Sequence, residues 1–460
     1  MSRILFVYPN KEGCPIIPLG ISVLAGILKR DGHQVALFDV TFMIPERFDH
    51  DAREKNGTVT PVDVRAYWGE GEKHDIEAEF RAQLVGFQPD VVAFSIVEAN
   101  YSCAATLLRI SKETTSALTL VGGLLPTTFP EVFLRDAHVD LVCVGEGEQA
   151  LSELVRRLDG GEDLSSVANL IVKRGGRQVR NKLASYYTWE PLTFQDWDIF
   201  DPRHLMKPFV GKMYRTGFFE LSRGCPYRCT YCLNRLNQEI FKGLGNYNRA
   251  KPMEYAVREM EHFKQQYALE MVFFSDENFL TMRQERLAEF CEKYPSRVGL
   301  PFFIMTRADS LLDEGKVKLL KDAGCVNIAI GVESGNETFR RQVLNKDIPN
   351  SVYEKAFALC HRADIRTTAN VMIGLPFETE ENILESARFC KKVQARSLGL
   401  GIFAPYHGTY LRDLCLQHGF IEDRMYGEIA VYDHSTLNMP QLSREKIGEL
   451  YYKFNSLVYA

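Results

Sequence analysis

Two kinds of hydrophobic pattern alternate along this chain. Short continuous apolar runs occur at Ile4–Tyr8, Val35–Asp39, Val91–Ser95, Ala117–Val121 and Leu141–Gly145. They are rich in β-formers and read as strands buried on both faces. Between them lie segments with helical periodicity. In Gly20–Gly32, Ile21, Leu24 and Leu28 share a face, Lys29 and Arg30 suit the C-terminal dipole, and Gly32 can cap the end. This alternation predicts an α/β chain that begins with a doubly wound parallel-sheet, Rossmann-like domain. Ligands of such sheets bind beyond the carboxyl ends of the strands. The loops at that edge are Pro9–Gly20, Ser95–Asn100, Gly122–Thr127 and Gly145–Glu148. Their glycines let the backbone approach a ligand closely, although any one such loop need only turn the chain.

From Gly217 the alternation resumes with more even spacing. Strands are expected at Phe218–Ser222, Met271–Ser275, Pro301–Met305, Asn327–Gly331, Thr368–Ile373 and Leu398–Phe403, with amphipathic helices such as Met253–Phe263 between them. Six strand–helix units predict a partial (β/α)6 TIM-like barrel, with its chemistry at the C-terminal strand ends. The stretch between the two patterns predicts a hairpin around Leu170–Val172 and Val179, then an extended aromatic strap through Trp189, Phe194, Trp197 and Phe200. The expected boundaries are 1–155 for the first domain, 156–213 for the linker and strap, 214–410 for the barrel, and 411–460 for a C-terminal helical extension.

Composition narrows the class. A net charge of -5 argues against a nucleic-acid footprint. No apolar run approaches the roughly 18 residues of a membrane span. The apolar run after Met1 is too short for a signal peptide and reads as a first strand. Eleven cysteines without a secretory signal point to a reducing cytoplasm, with thiols kept for metal or redox work.

The strand expected at 218–222 empties into Gly224-Cys225-Pro226-Tyr227-Arg228-Cys229-Thr230-Tyr231-Cys232, a C-x3-C-x2-C spacing. Thiolates at this spacing suit an iron–sulfur cluster or zinc. A closed zinc site wants a fourth ligand, and no cysteine or histidine lies nearby to supply it. The other strand ends are polar beyond what packing requires: Ser275-Asp276-Glu277-Asn278, Thr306-Arg307-Ala308-Asp309, Gly331-Val332-Glu333-Ser334-Gly335, Gly374-Leu375-Pro376 and Ala404–Thr409 with His407. Any one of them alone is compatible with a helix cap. Acids and an arginine at successive ends favour a polar ligand in the mouth.

The triplet with Tyr231 before its last cysteine, Glu333-Ser334-Gly335 and Gly374-Leu375-Pro376 together resemble the radical S-adenosylmethionine fold. Ahead of it, Pro18–Ile21, Gly32–Val35, Asp39, Ser95, Gly122-Gly123 and Val144–Glu148 resemble the cobalamin-binding domain that precedes many such enzymes. The resemblance implies a [4Fe-4S] cluster on Cys225, Cys229 and Cys232. It also implies S-adenosylmethionine near Tyr231, with Asp276 or Glu277 at its amino group, Arg307 at its carboxylate, Glu333 or Ser334 at its ribose, and Gly374 close by. Cobalamin would be met by Pro9, Leu19, Gly20, Ser95, Val97, Glu98, Gly122, Gly123, Gly145, Glu146 and Gly147. Asp39 is followed by Val40-Thr41-Phe42, so the histidine that binds cobalt from below in better-known relatives is missing.

By the same resemblance the activity is C-methylation of an sp3 carbon in a small-molecule or peptide substrate. The electron would come from a reduced flavodoxin or ferredoxin. Oxidative cyclisation or rearrangement is the alternative within this architecture. A transfer-RNA methylthiotransferase would need a second cluster on Cys14, Cys103 and Cys143, but Cys103 lies in a helical segment and Cys143 in a strand. A non-enzymatic cobalamin sensor would leave the polar strand ends without purpose. Substrate recognition is expected after Thr409, around Tyr426, Tyr432, His434 and Tyr451.

Overall fold

The apolar runs of the first part form one sheet. The computed structural model describes residues 1–11, 15–44, 49–69, 74–174, 176–424 and 434–460. Strands β1 (Arg3–Tyr8), β2 (Gln34–Asp39), β3 (Val91–Ser95), β4 (Leu118–Gly122) and β5 (Leu141–Cys143) pair in parallel in the order β2-β1-β3-β4-β5. The order reverses between β1 and β3, the kind of switch point where open α/β sheets take ligands. Side chains alternate across the pleat. Ile4, Phe6, Val91 and Ala93 pack with Ile21 and Leu28 on one face, while Leu5, Val7, Val92 and Phe94 pack with Leu107 and Leu108 on the other.

The expected linker is divided differently. The helix Glu148–Gly160 runs through position 155. The hairpin β6 (Leu170–Arg174) and β7 (Arg177–Arg180) adds antiparallel to β5 and so extends the first sheet. Only the aromatic segment that follows is a strap. Gln195 accepts from Ser22 Oγ at 2.7 Å and from Trp197 Nε1 at 3.0 Å, and Trp197 stacks on Phe263 at 4.2 Å. These contacts tie a helix of each unit to the same segment.

The second unit begins before residue 213. β8 (Met206–Phe209) lies antiparallel on β9 (Lys212–Phe219). β10 (Ser222–Arg223) and β11 (Arg249–Ala250) form a separate ribbon. β12 (Met271–Phe274), β13 (Phe302–Thr306), β14 (Cys325–Glu333), β15 (Arg366–Ile373) and β16 (Ser397–Ile402) continue from β9 in parallel. β9, β12, β13, β14, β15 and β16 are the six parallel strands of a half-barrel. β9 stops at Phe219 because Leu221 gives its N–H to the buried Asp276 carboxylate at 3.1 Å instead of continuing the ladder.

The C-terminal helix Arg444–Tyr459 buries Ile447, Leu450, Tyr451 and Phe454 and packs on the helix Glu380–Lys392 and on β16. Tyr451 is thus a core residue, not a substrate contact, since an aromatic at that helical spacing completes the apolar face. His434 is exposed, and Tyr426 and Tyr432 lie outside the described residues. No described helix is long and apolar enough to cross a membrane.

The turn after β15 holds a fully buried acid, Glu378, which accepts from Leu375 N at 3.0 Å. Burial raises its pKa from 4.5 to about 8 against the pull of the Leu375 and Gly374 N–H groups. A raised carboxyl pKa contributes stability that is complete below about pH 4.5 and is lost as pH climbs through about 8. At about 1.4 kcal/mol per tenfold change in proton affinity, the loss is a few kcal/mol. Glu378→Gln is therefore expected to raise Tm by several degrees at pH 8.5 and to flatten the decline between pH 5 and 8.5, measured by thermal melts across that range. Parallel declines in variant and wild type would count against it.

Candidate active site

The cysteine loop leaves β10 through Gly224, whose φ of +88° is left-handed and where a Cβ would run into the Tyr247 carbonyl. Only glycine suits both demands. The loop is pinned from several sides. Gln238 Nε2 donates to the carbonyls of Cys225 at 2.7 Å and Tyr227 at 3.0 Å, Thr230 Oγ1 to Val343 O at 2.6 Å, and Asn345 Nδ2 to Arg228 O at 2.9 Å. The helix Leu233–Ile240 starts directly after Cys232, so its positive end faces the last thiol. Burial pushes the Cys225 thiol up to about 11 and also raises Cys232. A cation bound there would reverse that preference, since metal ligation requires the thiolate.

Cys225, Cys229 and Cys232 face one cavity of about 200 Å³, together with Tyr227, Tyr231, Asn234, Glu277, Asn278, Arg307, Glu333, Lys346 and Asn370. Glu333 holds φ +68°, unusual for a non-glycine residue, at a register shift in β14. Its carboxylate pairs with the buried Lys346 Nζ at 2.9 Å. Burial opposes the lysine's charge, but Glu333 keeps the Lys346 pKa above its ordinary value. Arg307 lies over the Tyr227 ring at 3.5 Å and pairs with Asp309 at 2.8 Å and 3.1 Å. Glu277 accepts from Gly224 N at 3.1 Å, and burial raises its pKa.

Three residues expected at this rim lie elsewhere. Asp276 is fully buried, accepts from Leu221 N and Ser222 Oγ, and is pushed up to about 7 by burial. Ser334 is buried against Ser386, and Gly374 turns beneath Ile447. Asn278 closes the polar strand end expected at 275–278 and does reach the cavity, whereas Lys346 and Asn370 were not expected, because neither stands in a recognisable motif.

The first sheet has a cavity of about 280 Å³ at its switch point. Leu19, Gly20, Ser95, Gly122, Gly123, Gly145, Glu146 and Gly147 line it, with Phe6, Leu120 and Cys143 as apolar floor. Pro9, Val97 and Glu98 do not. Glu98 turns to the second unit, where its carboxylate accepts from His407 N at 2.8 Å and meets His407 Nδ1 at 2.6 Å. His407 also stacks on Phe129 at 4.6 Å, so this histidine joins the two units. Asp39 is likewise engaged, by Thr41 N at 2.9 Å and by the buried His204 Nε2 at 2.5 Å.

The two cavities are clamped together. Arg223, the residue before Gly224, pairs with Glu148 and with Glu220 at 2.8 Å, and Arg249 pairs with Glu146. Gly145 (φ +90°) leaves room for Phe241, whose ring a Cβ would meet at 2.5 Å. The loop that closes the first cavity therefore touches the loop that carries the thiols.

The B12 binding domain model matches residues 13–155, and the Radical SAM superfamily model matches residues 219–390. The chain belongs to the cobalamin-binding radical S-adenosylmethionine enzyme family. It is 26% identical to the anaerobic magnesium-protoporphyrin IX monomethyl ester cyclase of Cereibacter sphaeroides, over 95% of this chain and 66% of the cyclase. It is 22% identical to the cytidylyl-2-hydroxyethylphosphonate methyltransferase of Streptomyces wedmorensis, over 95% of this chain and 85% of that protein. Its fold is similar to that of the radical S-adenosylmethionine methyltransferase TsrM of Kitasatospora setae with cobalamin and a [4Fe-4S] cluster bound. The TM-score there is 0.68 at 20% identity, covering 99% of this chain and 81% of TsrM.

Like its family, the chain is an enzyme that uses a [4Fe-4S] cluster, S-adenosylmethionine and cobalamin. Its donor sets fit them. Cys225, Cys229 and Cys232 line one cavity, and three soft thiolates suit the irons of a cubane. The apolar, glycine-walled cavity at the switch point suits a bulky cofactor.

Proposed function

We propose that this enzyme transfers a methyl group to an unactivated carbon of a small molecule or peptide held in the barrel lumen. The observation that carries this is a shared wall. A lumen cavity of about 610 Å³ has Asn370 in common with the thiol cavity and Leu19 in common with the first-domain cavity. A substrate there lies between the two cofactor sites. When bound, the cofactors supply a hydrogen-abstracting 5′-deoxyadenosyl radical and a transferable methyl group.

The chain's own residues bind, orient and exclude water. Cys225, Cys229 and Cys232 hold the cluster. Glu277, Arg307 and the Glu333–Lys346 pair present charges to S-adenosylmethionine, and the loops at Gly20, Gly122 and Gly145 receive cobalamin. Phe218, Phe273 and Phe303 keep the lumen wall apolar. A reduced flavodoxin or ferredoxin supplies the electron. A second cluster has little support: Cys103 and Cys143 sit in cores on opposite faces of the first sheet, and Cys14 lies outside the described residues.

Anaerobic incubation of candidate substrate pools with trideuteromethyl-labelled S-adenosylmethionine tests the proposal. One labelled methyl group per product, with 5′-deoxyadenosine formed alongside, is expected by mass spectrometry. An unlabelled product that has lost hydrogen would instead assign oxidative cyclisation, the activity in the name of the Cereibacter relative.

A further inference from the structure

We propose that Asn234, set in place by Tyr247, tunes the iron–sulfur cluster: its side-chain amide donates to the Cys232 sulfur and raises the cluster's reduction potential. This rests on the reading that Cys225, Cys229 and Cys232 carry the cluster, and not on what the enzyme transfers.

Asn234 stands in the first turn of the helix Leu233–Ile240, two residues after the last thiol. Asparagine is a mediocre helix former, and Cys232, not Asn234, occupies the cap position. Helix formation therefore does not call for this side chain. Its amide is spent on the thiol instead: Asn234 Nδ2 donates to Cys232 Sγ at 3.5 Å, and the backbone N–H of the same residue reaches that sulfur too.

A thiolate that ligates iron keeps lone pairs for such donors, and hydrogen bonds to the sulfurs are among the features that set a cluster's potential. The direction follows from charge. Taking up one electron makes the cluster and its thiolates more negative, so a donor aimed at a sulfur stabilises the reduced form more than the oxidised one. The reduced flavodoxin or ferredoxin then has a shorter way to push its electron.

The amide must face the right way, because turned over it would set its carbonyl oxygen against the sulfur. Tyr247 makes that choice. Its hydroxyl donates to Asn234 Oδ1, which leaves Nδ2 for Cys232. Burial pushes the Tyr247 phenol well above its ordinary value, so the hydroxyl keeps its proton.

Tyr247 is itself anchored. Arg249 Nη1 donates to the Tyr247 carbonyl at 3.3 Å, while Nη2 of the same guanidinium pairs with Glu146 on the first-domain cavity. The guanidinium also lies over the Tyr186 ring at 4.5 Å, and that ring stands 5.7 Å from Tyr247. A relay from Glu146 through Arg249, Tyr247 and Asn234 thus ends on a cluster ligand, with its outer end held by the other unit. Asn234 is the tuning residue, and Tyr247 is a positioning residue that acts through it.

Redox titration of the anaerobically reconstituted holoenzyme, followed by electron paramagnetic resonance, tests this. Asn234→Leu keeps a branched side chain and removes the donor. It should shift the reduction equilibrium about tenfold, the size of a modest hydrogen bond to a charged group, which lowers the midpoint by about 59 mV for one electron. Tyr247→Phe keeps the ring and the backbone carbonyl and loses only the orienting hydroxyl. A shift of about threefold in the same direction is expected there, ~28 mV. The charges that share the thiol cavity, Glu277, Arg307, Glu333 and Lys346, stay in place in both variants. Iron analysis should give about four per chain in each, with melting temperatures near wild type. A merely structural role would lower iron and melting temperature and leave the midpoint alone. A midpoint that stays put or rises in a variant holding four irons would overturn the inference. Wild-type protein that takes up no iron would instead refute the cluster assignment beneath it.

Discussion

Replacing Cys229 by alanine is expected to abolish formation of 5′-deoxyadenosine from S-adenosylmethionine, by about 1,000-fold or more. Reconstituted iron should fall from about four per chain to a trace. The effect is large because the cofactors carry the difficult chemistry and the protein's part at this point is ligation. The substitution is also clean. Cys229 is 9% exposed and stands between Arg228, whose carbonyl accepts from Asn345 Nδ2, and Thr230, whose N–H and Oγ1 donate to the carbonyls of Leu344 and Val343, and alanine at 229 leaves all three bonds in place. The loop should therefore keep its path, and the melting temperature of the apoprotein should change little. Iron analysis and product detection on one anaerobic sample check both halves. An alanine variant that still made the nucleoside at more than a few per cent of the wild-type rate would exclude Cys229 as a ligand.

What the sequence made legible follows from how local each signal is. Continuous apolar runs located the strands to within two residues, because burial on both faces leaves few alternatives for such a run, except that the one expected at 218–222 starts at Lys212, in a polar stretch that pairs with β8. The three cysteines were legible because ligand spacing is itself a local pattern. Lys346 and Asn370 were not. One sits in the loop after the helix Glu337–Gln342, and the other is set beside Glu333 by the pairing of Asn370 with Gly331 on the neighbouring strand, which no local pattern announces. The choice between Asp276 and Glu277 depended on a turn after Phe274 that adjacent acids do not reveal. Glu98 stands in a loop at the ligand edge, yet its partner His407 is 309 residues away. A buried carboxylate seeks the nearest donor, and here that donor belongs to the other unit. The β6–β7 hairpin was misplaced for a related reason: nothing within a hairpin says which sheet edge it will join.

Filling the first-domain cavity should separate the two cofactors. Gly20 lies in the first turn of the helix Leu19–Arg30 and lines the cavity, and a Cβ built on it meets nothing within 4 Å. Its backbone is helical, so a side chain there brings no strain. Gly20→Ala should retain cobalamin and gain up to about 1 kcal/mol from helix propensity. Gly20→Phe places a ring in a space of about 280 Å³, with the sheet floor of Phe6 and Leu120 behind it. Close-packed walls do not yield to such a ring, so the phenylalanine variant is expected to purify with only a trace of cobalamin. Iron content and 5′-deoxyadenosine formation should persist, since the thiol loop is anchored by contacts Gly20 does not share. Methyl transfer should fall about 100-fold or more, leaving radical formation uncoupled from product. The visible spectrum of the purified variants, read beside labelled-methyl incorporation, decides it. Stoichiometric cobalamin in the phenylalanine variant would move the cofactor out of the switch-point cavity. Loss of iron together with cobalamin would instead mean that the Arg223 and Phe241 contacts make the two loops fold as one.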